Sequence, residues 1–307
     1  MTTPKRDRPE TAQRLTEWVA DTERFLPGNT ACPGCGAALA MRHVVKELGE
    51  RTIVVVPACC WAIIAGQFPY ASLAVPSINT PFACAAAVAS GIRAALDARK
   101  VKDTTVMAWA GDGGTFDIGL QAMSGAFERN DDLLYVCYDN EAYMNTGVQR
   151  SSATPLGAWT TTTPVPHVKD RPKKDLLDIV AAHRIPYAAT ASIAFVDDLR
   201  RKVRRAKETK GARFLHILCP CSPGWKTQTG HTVKLARLAV HTKIMPLFEV
   251  EDGLEYTVNV EPDGTPVEEF LKLQGRFRHL SADEIARVQA QVDRTWAALC
   301  RRAGRAR

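Results

Sequence analysis

Two short apolar runs enclose a segment of helical spacing, and this pattern constrains the fold more than any other feature of the 307-residue chain. The run 104–110, TTVMAWA, is apolar and β-branched enough to form a buried strand, and 132–139, DLLYVCYD, has the same character. Between them, the apolar residues of 116–129 recur at the spacing of a helix. A strand, a helix and a strand of these lengths form a right-handed crossover between parallel strands. The pattern therefore predicts an α/β fold with a mostly parallel sheet and helices on both faces.

Polar residues and glycines follow both predicted strands. Asp112 lies between Gly111 and Gly113 after the first run, and Asn140 directly follows the second. Open α/β sheets bind ligands at the carboxyl ends of their strands, so we expect Asp112 and Asn140 to lie together at that edge. Gly113 and Gly114 let the backbone approach a phosphate closely, and the N-terminus of the next helix favours an anion.

The spacing of these residues is typical of a site for a diphosphate and a divalent cation. Mg²⁺ takes about six oxygen ligands. The Asp112 carboxylate, the Asn140 amide oxygen and the backbone carbonyl of Ala142 nearly fill that shell together with two diphosphate oxygens. With 26 residues between Gly113 and Asn140, the stretch resembles the diphosphate-binding motif of thiamine diphosphate enzymes. The alternative is an ordinary strand–turn–helix with a polar loop.

Nine cysteines raise the question of a metal centre. Cys32 and Cys35 form a CPGC pair, while Cys60 and Cys221 follow two further predicted strands, 52–57 and 213–218. All four are expected near the edge that carries Asp112, an arrangement that suits a 4Fe–4S cluster. A redox dithiol and a zinc site remain alternatives for the CPGC pair. Cys59 and Cys219 are neighbouring candidates for the third and fourth ligands.

Bulk properties exclude several classes of protein. The sequence has no apolar run long enough to span a membrane, and residues 1–15 lack the apolar core of a secretion signal, so we expect a cytoplasmic protein. The net charge of +7 is concentrated in 200–210 and 301–307. These segments form either solvated faces or a docking surface for an acidic partner. No nucleic-acid motif accompanies the charge, so nucleic-acid binding is not expected.

Several longer segments resemble one protein family. They are CPGCGAALAMRHV, FPYASLAVPSIN, AAAVASGIRAAL, GDGGTFDIGLQAMSGAFER, CYDNEAYMNTGVQRSSATPLGAWTTTTPV, DIVAAHRIPYAATAS, PCSPGW and LQGRFRHL, which together extend from about residue 28 to about 280. The chain resembles the thiamine-diphosphate-binding β subunit of 2-oxoacid:ferredoxin oxidoreductases, especially the pyruvate type. The resemblance implies the diphosphate-binding domain of the thiamine diphosphate-binding fold.

The resemblance also implies roles for individual residues. It assigns the 4Fe–4S cluster to Cys32, Cys35, Cys60 and Cys221, preferring Cys60 over Cys59 and Cys221 over Cys219. It assigns Mg²⁺ to Asp112, Asn140 and the carbonyl of Ala142, and places Asn145 close to the reacting centre as the candidate catalytic residue. The predicted cofactor-binding residues are Gly111, Asp112, Gly113, Gly114, Asn140, Ala142, Met144, Asn145 and Cys60.

The activity implied by the resemblance is the oxidative decarboxylation of a 2-oxoacid to acyl-CoA and CO₂. Coenzyme A is the co-substrate, and the cluster passes electrons to ferredoxin or another acceptor. An α subunit would supply the glutamate that activates thiamine, and a γ subunit and a ferredoxin-like iron–sulfur subunit would complete the complex. The alternatives are half of a nonredox thiamine diphosphate decarboxylase and a noncatalytic metal-binding scaffold for electron transfer.

One departure from the family pattern concerns the substrate. Pyruvate-type subunits commonly have Gly-Cys-Leu-Glu where this chain has Cys59-Cys60-Trp61-Ala62. A Trp beside a cluster cysteine, with a carboxylate lost, would change the local volume and polarity. This difference adds a bulkier or aromatic 2-oxoacid, such as phenylglyoxylate, to pyruvate as a candidate substrate.

The rest of the chain is organised around this site. We expect an N-terminal arm at 1–27, a domain that binds thiamine diphosphate and the cluster at 28–225, and a C-terminal extension at 226–307 that packs on the domain and on partner subunits. Helices are predicted at 174–183 and 195–208, around a strand at 187–192, and a last helix begins near Ser281. The loop 154–168 is either inert or a lid over the site.

Overall fold

A single mixed sheet organises the chain. The computed structural model describes residues 22–305, so the predicted arm at 1–27 lies mostly outside the described residues. The strands are β1 (Thr52–Pro57), β2 (Ser77–Thr80), β3 (Thr105–Gly111), β4 (Leu134–Asp139), β5 (Tyr187–Ser192), β6 (Arg213–Leu218), β7 (Phe248–Glu251) and β8 (Glu255–Val258). Their order in the sheet is β2-β1-β3-β4-β6-β5-β7-β8. The first six strands pair in parallel, and β7 and β8 extend the sheet in antiparallel fashion.

Helices cover both faces of the sheet, as predicted. They are α1 (Gly36–Leu48), α2 (Trp61–Ile64), α3 (Ala85–Ala98), α4 (Leu120–Glu128), α5 (Leu176–Ala181), α6 (Val196–Glu208), α7 (Thr232–His241), α8 (Val267–Leu271) and α9 (Ala282–Arg302). One buried cluster packs α1 and α6 against the sheet, and a second packs α3, α4 and α5 against it. Among the described residues, no helix is both long enough and apolar enough to cross a membrane.

The central β-α-β unit is confirmed, with one difference at the helix. The predicted helix at 116–129 is a π-helical turn, Gly113–Asp117, followed by α4. The Thr115 hydroxyl donates to the Gly111 carbonyl at 2.7 Å, which anchors the wide turn to the end of β3. Two adjacent glycines permit this wide turn, whereas hydrophobic spacing carries no information about it.

The C-terminal part of the chain joins the same sheet. Strand β7 pairs with β5, and β8 pairs with β7. Residues on both sides of position 225 share a third apolar cluster that includes Leu218, Trp225 and Phe270. The division of the chain at 225 into a domain and an extension stays a prediction. Helix α9 begins at the predicted cap, where Ser281 and Glu284 form a reciprocal capping box.

Four arginines of the basic helix α6 form ion pairs with acidic residues of neighbouring elements. Arg200 and Arg204 pair with Glu47 of α1, and Arg201 and Arg205 pair with Glu249 of β7. These four arginines therefore hold neighbouring elements of the chain together.

Candidate active site

A cavity of about 270 Å³ opens at the carboxyl ends of β1, β3 and β4. All nine predicted cofactor-binding residues line it: Cys60, Gly111, Asp112, Gly113, Gly114, Asn140, Ala142, Met144 and Asn145. Sequence reasoning missed six further lining residues: Ala58, Cys59, Phe82, Tyr138, Tyr143 and Thr146. The topology thus brings the candidates together at the edge where a parallel sheet is expected to bind a ligand.

The floor of the cavity is tightly packed at Gly113. A Cβ atom at this position would lie 2.4 Å from the Cε1 atom of Tyr143, so only glycine fits. The Tyr143 ring is fixed in turn, because its hydroxyl donates to Asp117 at 3.0 Å and the ring lies 5.8 Å from that of Phe82. The missing Cβ of Gly113 therefore makes room for the Tyr143 ring, which lies against the start of the π-helical turn.

Three oxygen atoms converge at the wall of the cavity. The side-chain oxygen of Asn140 lies 2.9 Å from Oδ1 of Asp112 and 3.1 Å from the carbonyl oxygen of Ala142. Three facing oxygens repel one another unless a cation lies among them or the amide turns its NH₂ group toward the other two. Ligands about 2.0–2.1 Å from an octahedral Mg²⁺ stand about 2.8–3.0 Å apart when adjacent, close to the observed separations. The donor set therefore fits this ion.

Asp112 is fully buried and has few compensating partners. Its Oδ2 atom accepts a hydrogen bond from the Ser151 hydroxyl at 2.5 Å. Burial raises the pKa of the Asp112 carboxyl well above its usual value, and the negative charge of Asp139 raises it further. A nearby cation would stabilise the ionised form of a carboxyl in this position.

The turn after β4 is held by buried charges that the sequence did not reveal. Glu141 has a positive φ of 67°, and its carboxylate pairs with Lys173 at 3.0 Å and with Arg276 at 2.5 Å. Lys173 and His216 both contact Asp139. Burial alone would raise the pKa of Asp139, but Lys173 and His216 outweigh it and hold the pKa at about 2.

The CPGC loop is docked onto the segment that carries Cys221. The Gly36 amide donates to the Pro220 carbonyl at 3.1 Å, and the Ser222 hydroxyl donates to the Pro33 carbonyl at 2.7 Å. A Cβ atom on Gly36 would lie 2.8 Å from the Pro220 oxygen, so the contact requires glycine there. These contacts bring Cys32 and Cys35 to the Cys221 segment.

Neighbouring thiols add to the effect of burial at two of the predicted cluster cysteines. Burial raises the pKa of the Cys60 thiol to about 12, with smaller contributions from Cys59, Cys221 and Cys35, in that order. Burial likewise raises the pKa of Cys221 to about 11, with contributions from Cys35 and Cys32. In the part of the chain that the structure describes, no three His, Cys, Asp or Glu side chains are close enough to hold a single metal ion. A cubane cluster binds each thiolate through a different iron, so its cysteines stand farther apart than the ligands of one ion.

Cys59 and Cys219 adjoin two of the predicted ligands in the sequence. Cys59 lines the cavity together with Cys60 and Tyr138. Cys219 is buried in the apolar core, and its amide donates to the Asp139 carbonyl at 2.7 Å. Cys35, Cys59 and Cys60 pack against the core cluster that contains Cys219, so the preference for Cys60 and Cys221 as ligands stays a prediction.

Trp61 points away from the cavity. Its side chain is fully buried in the core, with ring centroids 5.1 Å from Phe25 and 5.7 Å from Trp109. The residue therefore leaves the cavity unchanged and gives no support for a bulky or aromatic substrate.

Asn145 and Met144 occupy different sides of the cavity. Asn145 is exposed, whereas Met144 packs toward Cys221, with its sulfur 2.0 Å from where a Cβ atom on Gly224 would lie. The threonine-rich part of the loop 154–168 lies beside Asn145, since the Thr161 amide donates to the Val148 carbonyl at 3.0 Å.

Comparisons with known proteins agree with this geometry. Residues 59–217 match the thiamine pyrophosphate enzyme, C-terminal TPP binding domain. The ketoisovalerate oxidoreductase subunit VorB of Pyrococcus horikoshii is 50% identical over 298 residues, covering 94% of this chain and 95% of that protein. The pyruvate synthase subunit PorB of Methanothermobacter thermautotrophicus is 48% identical over 281 residues, covering 90% of this chain and 96% of the relative.

A solved structure shows the same fold. The 2-oxoglutarate:ferredoxin oxidoreductase from Magnetococcus marinus superposes with a TM-score of 0.57 at 21% identity, covering 70% of this chain and 79% of that one. The fold and site thus define a thiamine diphosphate-binding subunit. The chain belongs to the β subunits of the 2-oxoacid:ferredoxin oxidoreductases.

Proposed function

We propose that this chain binds thiamine diphosphate, Mg²⁺ and one 4Fe–4S cluster as the β subunit of a cytoplasmic enzyme that oxidises a small aliphatic 2-oxoacid. The overall reaction converts the 2-oxoacid and coenzyme A to acyl-CoA and CO₂, releasing a proton and two electrons. The observation that carries the proposal is the convergence of the Asp112, Asn140 and Ala142 oxygens beside a cavity that also contains Cys60.

Each residue of the site has a defined task in this proposal. Asp112, Asn140 and the Ala142 carbonyl hold Mg²⁺, which neutralises the diphosphate, while Gly111, Gly113 and Gly114 allow the backbone to approach it. When bound, thiamine diphosphate supplies the carbon nucleophile and electron sink for decarboxylation, and the cluster accepts the electrons. Asn145, at the exposed side of the cavity, orients the substrate.

The cysteines favour an oxidoreductase over the alternative functions. Cys32, Cys35, Cys60 and Cys221 hold the cluster, and Cys60 also lines the cavity, so electrons have a short path out of the site. A nonredox decarboxylase has no use for such a centre. A metal-binding scaffold has no use for the converging oxygens.

The proposed complex contains further subunits. An α subunit contributes the glutamate that activates thiamine, and a γ subunit and a ferredoxin-like subunit carry the electrons onward to ferredoxin or a similar acceptor. The relatives named for ketoisovalerate and pyruvate support an aliphatic 2-oxoacid, and the buried position of Trp61 removes the reason to prefer phenylglyoxylate.

Purification of the assembled enzyme without oxygen tests the proposal. The protein should contain thiamine diphosphate and about four irons per β subunit beyond those of its partners. It should reduce ferredoxin with pyruvate or 2-oxoisovalerate only when coenzyme A is present. Zinc in place of iron, or turnover of a 2-oxoacid by the isolated chain, would contradict the proposed cluster or the proposed partner.

A further inference from the structure

A buried arginine lies between the two parts of the site. Arg276 is 3% exposed, and its guanidinium bonds Glu141 at 2.5 Å and the Gln274 side chain at 2.9 Å. The guanidinium carbon also lies 4.0 Å from the centre of the Trp225 ring. A charge enclosed in this way acts through a low local dielectric, so its field reaches neighbouring groups with little screening.

Trp225 connects the cation-binding turn, residues 139–142, to the Cys221 segment. Its indole NH donates to the Asn140 carbonyl at 2.8 Å. Its backbone amide donates to the Cys221 carbonyl at 2.9 Å. Through Trp225 and Glu141, Arg276 thus contacts both the turn that carries two of the Mg²⁺ ligands and the segment that carries a cluster ligand.

Arg276 also lies beside the Cys221 segment. Its amide donates to the Trp225 carbonyl at 3.4 Å, and its guanidinium lies over the ring of Trp225, whose own amide bonds the Cys221 carbonyl. A buried cation at this place favours the extra negative charge of a reduced cluster, because net charge around a cluster sets its potential. Replacing Arg276 by a neutral residue would leave Glu141 to share Lys173 with Asp139, so two buried carboxylates would face one cation.

We propose that Arg276 is a positioning residue that couples the two centres: it holds the cation-binding turn through Glu141 and Trp225, and it raises the reduction potential of the cluster bound through Cys221. This inference rests on the proposed function. It concerns the geometry of the turn and the reduction potential of the cluster, and it does not require Arg276 to contact the substrate.

The assembled enzyme carrying Arg276→Gln tests the proposal. Glutamine removes the charge and is too short to reach Glu141, but its amide nitrogen stands where Nε of Arg276 bonds Gln274. The cluster of this chain is identified as the reduced-state electron paramagnetic resonance signal that is lost in Cys221→Ser. In Arg276→Gln the midpoint potential of that signal should become more negative, and the Mg²⁺-dependent affinity for thiamine diphosphate should fall about 10-fold, the size of an outer-shell change. Arg276→Lys retains the charge, so its potential should stay near that of the wild type while its cofactor affinity falls.

Arg213 provides a matched control. It is equally buried and pairs with Asp132, but it lies at the opposite end of β6 from the site. Arg213→Gln should destabilise the protein and leave both the potential and the cofactor affinity unchanged. An unchanged potential in Arg276→Gln, or an equal shift in Arg213→Gln, would overturn the coupling. If Arg276→Gln does not assemble, Arg276→Lys tests the positioning role instead. An unchanged affinity for thiamine diphosphate in Arg276→Lys overturns that role.

The test separates this inference from the proposed function. If neither Cys60→Ala nor Cys221→Ala loses iron, the proposed cluster is wrong. If Cys221→Ser loses the cluster but Arg276→Gln keeps the wild-type potential, the cluster stands and only the role of Arg276 fails.

Discussion

The two halves of the candidate site are built in different ways. In the oxygen half, the proposed Mg²⁺ ligands Asp112, Asn140 and Ala142 follow adjacent strands, and the Asn140 oxygen lies 2.9 and 3.1 Å from the other two oxygens. The four cysteines come from three separate segments and no three of the described metal-binding side chains are close enough for a single ion. The oxygen half is pre-organised by local backbone geometry and buried charges, whereas the cysteine half depends on the docking of the CPGC loop onto the Cys221 segment.

This difference predicts that substitutions can disrupt either half of the site without disrupting the other. Changes at the end of β3 should affect cation and cofactor binding while the cysteine half survives, and changes at the cysteines should do the reverse. Arg276 and Trp225 are the exceptions, since they touch both halves.

The largest expected effect is that of Asp112→Asn. The variant keeps the shape of the side chain but removes the charge that faces Mg²⁺, and loss of a direct ligand should exceed the 10–100-fold effects of outer-shell changes. The Mg²⁺-dependent affinity for thiamine diphosphate, measured by calorimetry on the assembled enzyme, should therefore fall by more than about 100-fold. Because burial already disfavours the Asp112 carboxylate, the cofactor-free variant should unfold at a temperature equal to or above that of the wild type.

Asp117→Asn is the control for that change. Asp117 lies in the same π-helical turn, but its carboxylate accepts hydrogen bonds from Tyr143 and the Ser152 amide instead of facing the converging oxygens. Its effect on cofactor affinity should be about 10-fold or less. Equal losses in the two variants would show that the turn as a whole, and not a ligand at Asp112, supports binding.

Cys221→Ala should remove the cluster and spare the cofactor. Iron content should fall by about four atoms per chain, and ferredoxin reduction should stop, because one thiolate ligand is lost. Thiamine diphosphate affinity should stay within about threefold of the wild type, since Trp225 still bonds the Asn140 carbonyl. Cys219→Ala, a change in the apolar core, should keep its iron; iron loss there with retention in Cys221→Ala would reverse the assignment of the fourth ligand.

Sequence patterns predicted the residues that contribute the oxygens more directly than the neighbouring elements and charges that hold these residues in place. Strands β1, β5 and β6 begin and end at the predicted residues, because buried parallel strands are continuous apolar runs with clear ends. Strands β7 and β8 were not predicted, since each is four residues long and lies at the edge of the sheet. Hydrophobic spacing also missed the π-helical turn.

The charged residues that hold the turn after β4 could not be predicted from the sequence for a different reason. Glu141, Lys173 and Arg276 are far apart in the chain, and each reads as a surface residue on its own. Their meeting depends on how the segment after residue 225 folds back onto the sheet. Only the positive φ required at Glu141 is a local property, and no local pattern in the sequence marks it.

Gly113→Ala should have an intermediate effect confined to the oxygen half. The added Cβ would lie 2.4 Å from the Tyr143 ring, which cannot yield freely because its hydroxyl is bound to Asp117. Displacement of the ring should weaken thiamine diphosphate binding about 10-fold and lower the free energy of unfolding by about 1–3 kcal/mol, as overpacking does. Cluster content should be unchanged.

Gly91→Ala isolates the effect of adding a methyl group. Gly91 lies in α3, and nothing stands within 4 Å of where its Cβ would be. This substitution should raise the free energy of unfolding by about 0.5–1 kcal/mol, because alanine favours a helix. A loss of cofactor affinity in Gly91→Ala would show that the Gly113 result reflects the fold in general.

The smallest effect on either half is expected from Glu249→Gln. Glu249 is buried in β7, where Tyr187 donates to it at 2.7 Å and Arg201 pairs with it at 2.8 Å. The substitution should lower the free energy of unfolding by about 1–3 kcal/mol at neutral pH by weakening charge-assisted hydrogen bonds. Cofactor affinity and cluster potential should both be unchanged, because β6 and β5 separate β7 from β4, the nearest strand of the cavity.

The pH dependence gives the sign of the Glu249 contribution. Burial would raise the pKa of Glu249, but the bonds from Arg201 and Tyr187 hold it at about 2, below its ordinary value of 4.5. A lowered pKa in the folded state stabilises the protein fully above pH 4.5, and that stabilisation is lost as the pH falls toward 2. The difference in free energy of unfolding between wild type and Glu249→Gln, measured by urea titration, should therefore shrink as the pH falls from about 5 toward 2. If the difference in free energy of unfolding persists or grows in acid, Glu249 stabilises the sheet by packing alone. Its ion pairs with the arginines of α6 would then contribute no stability.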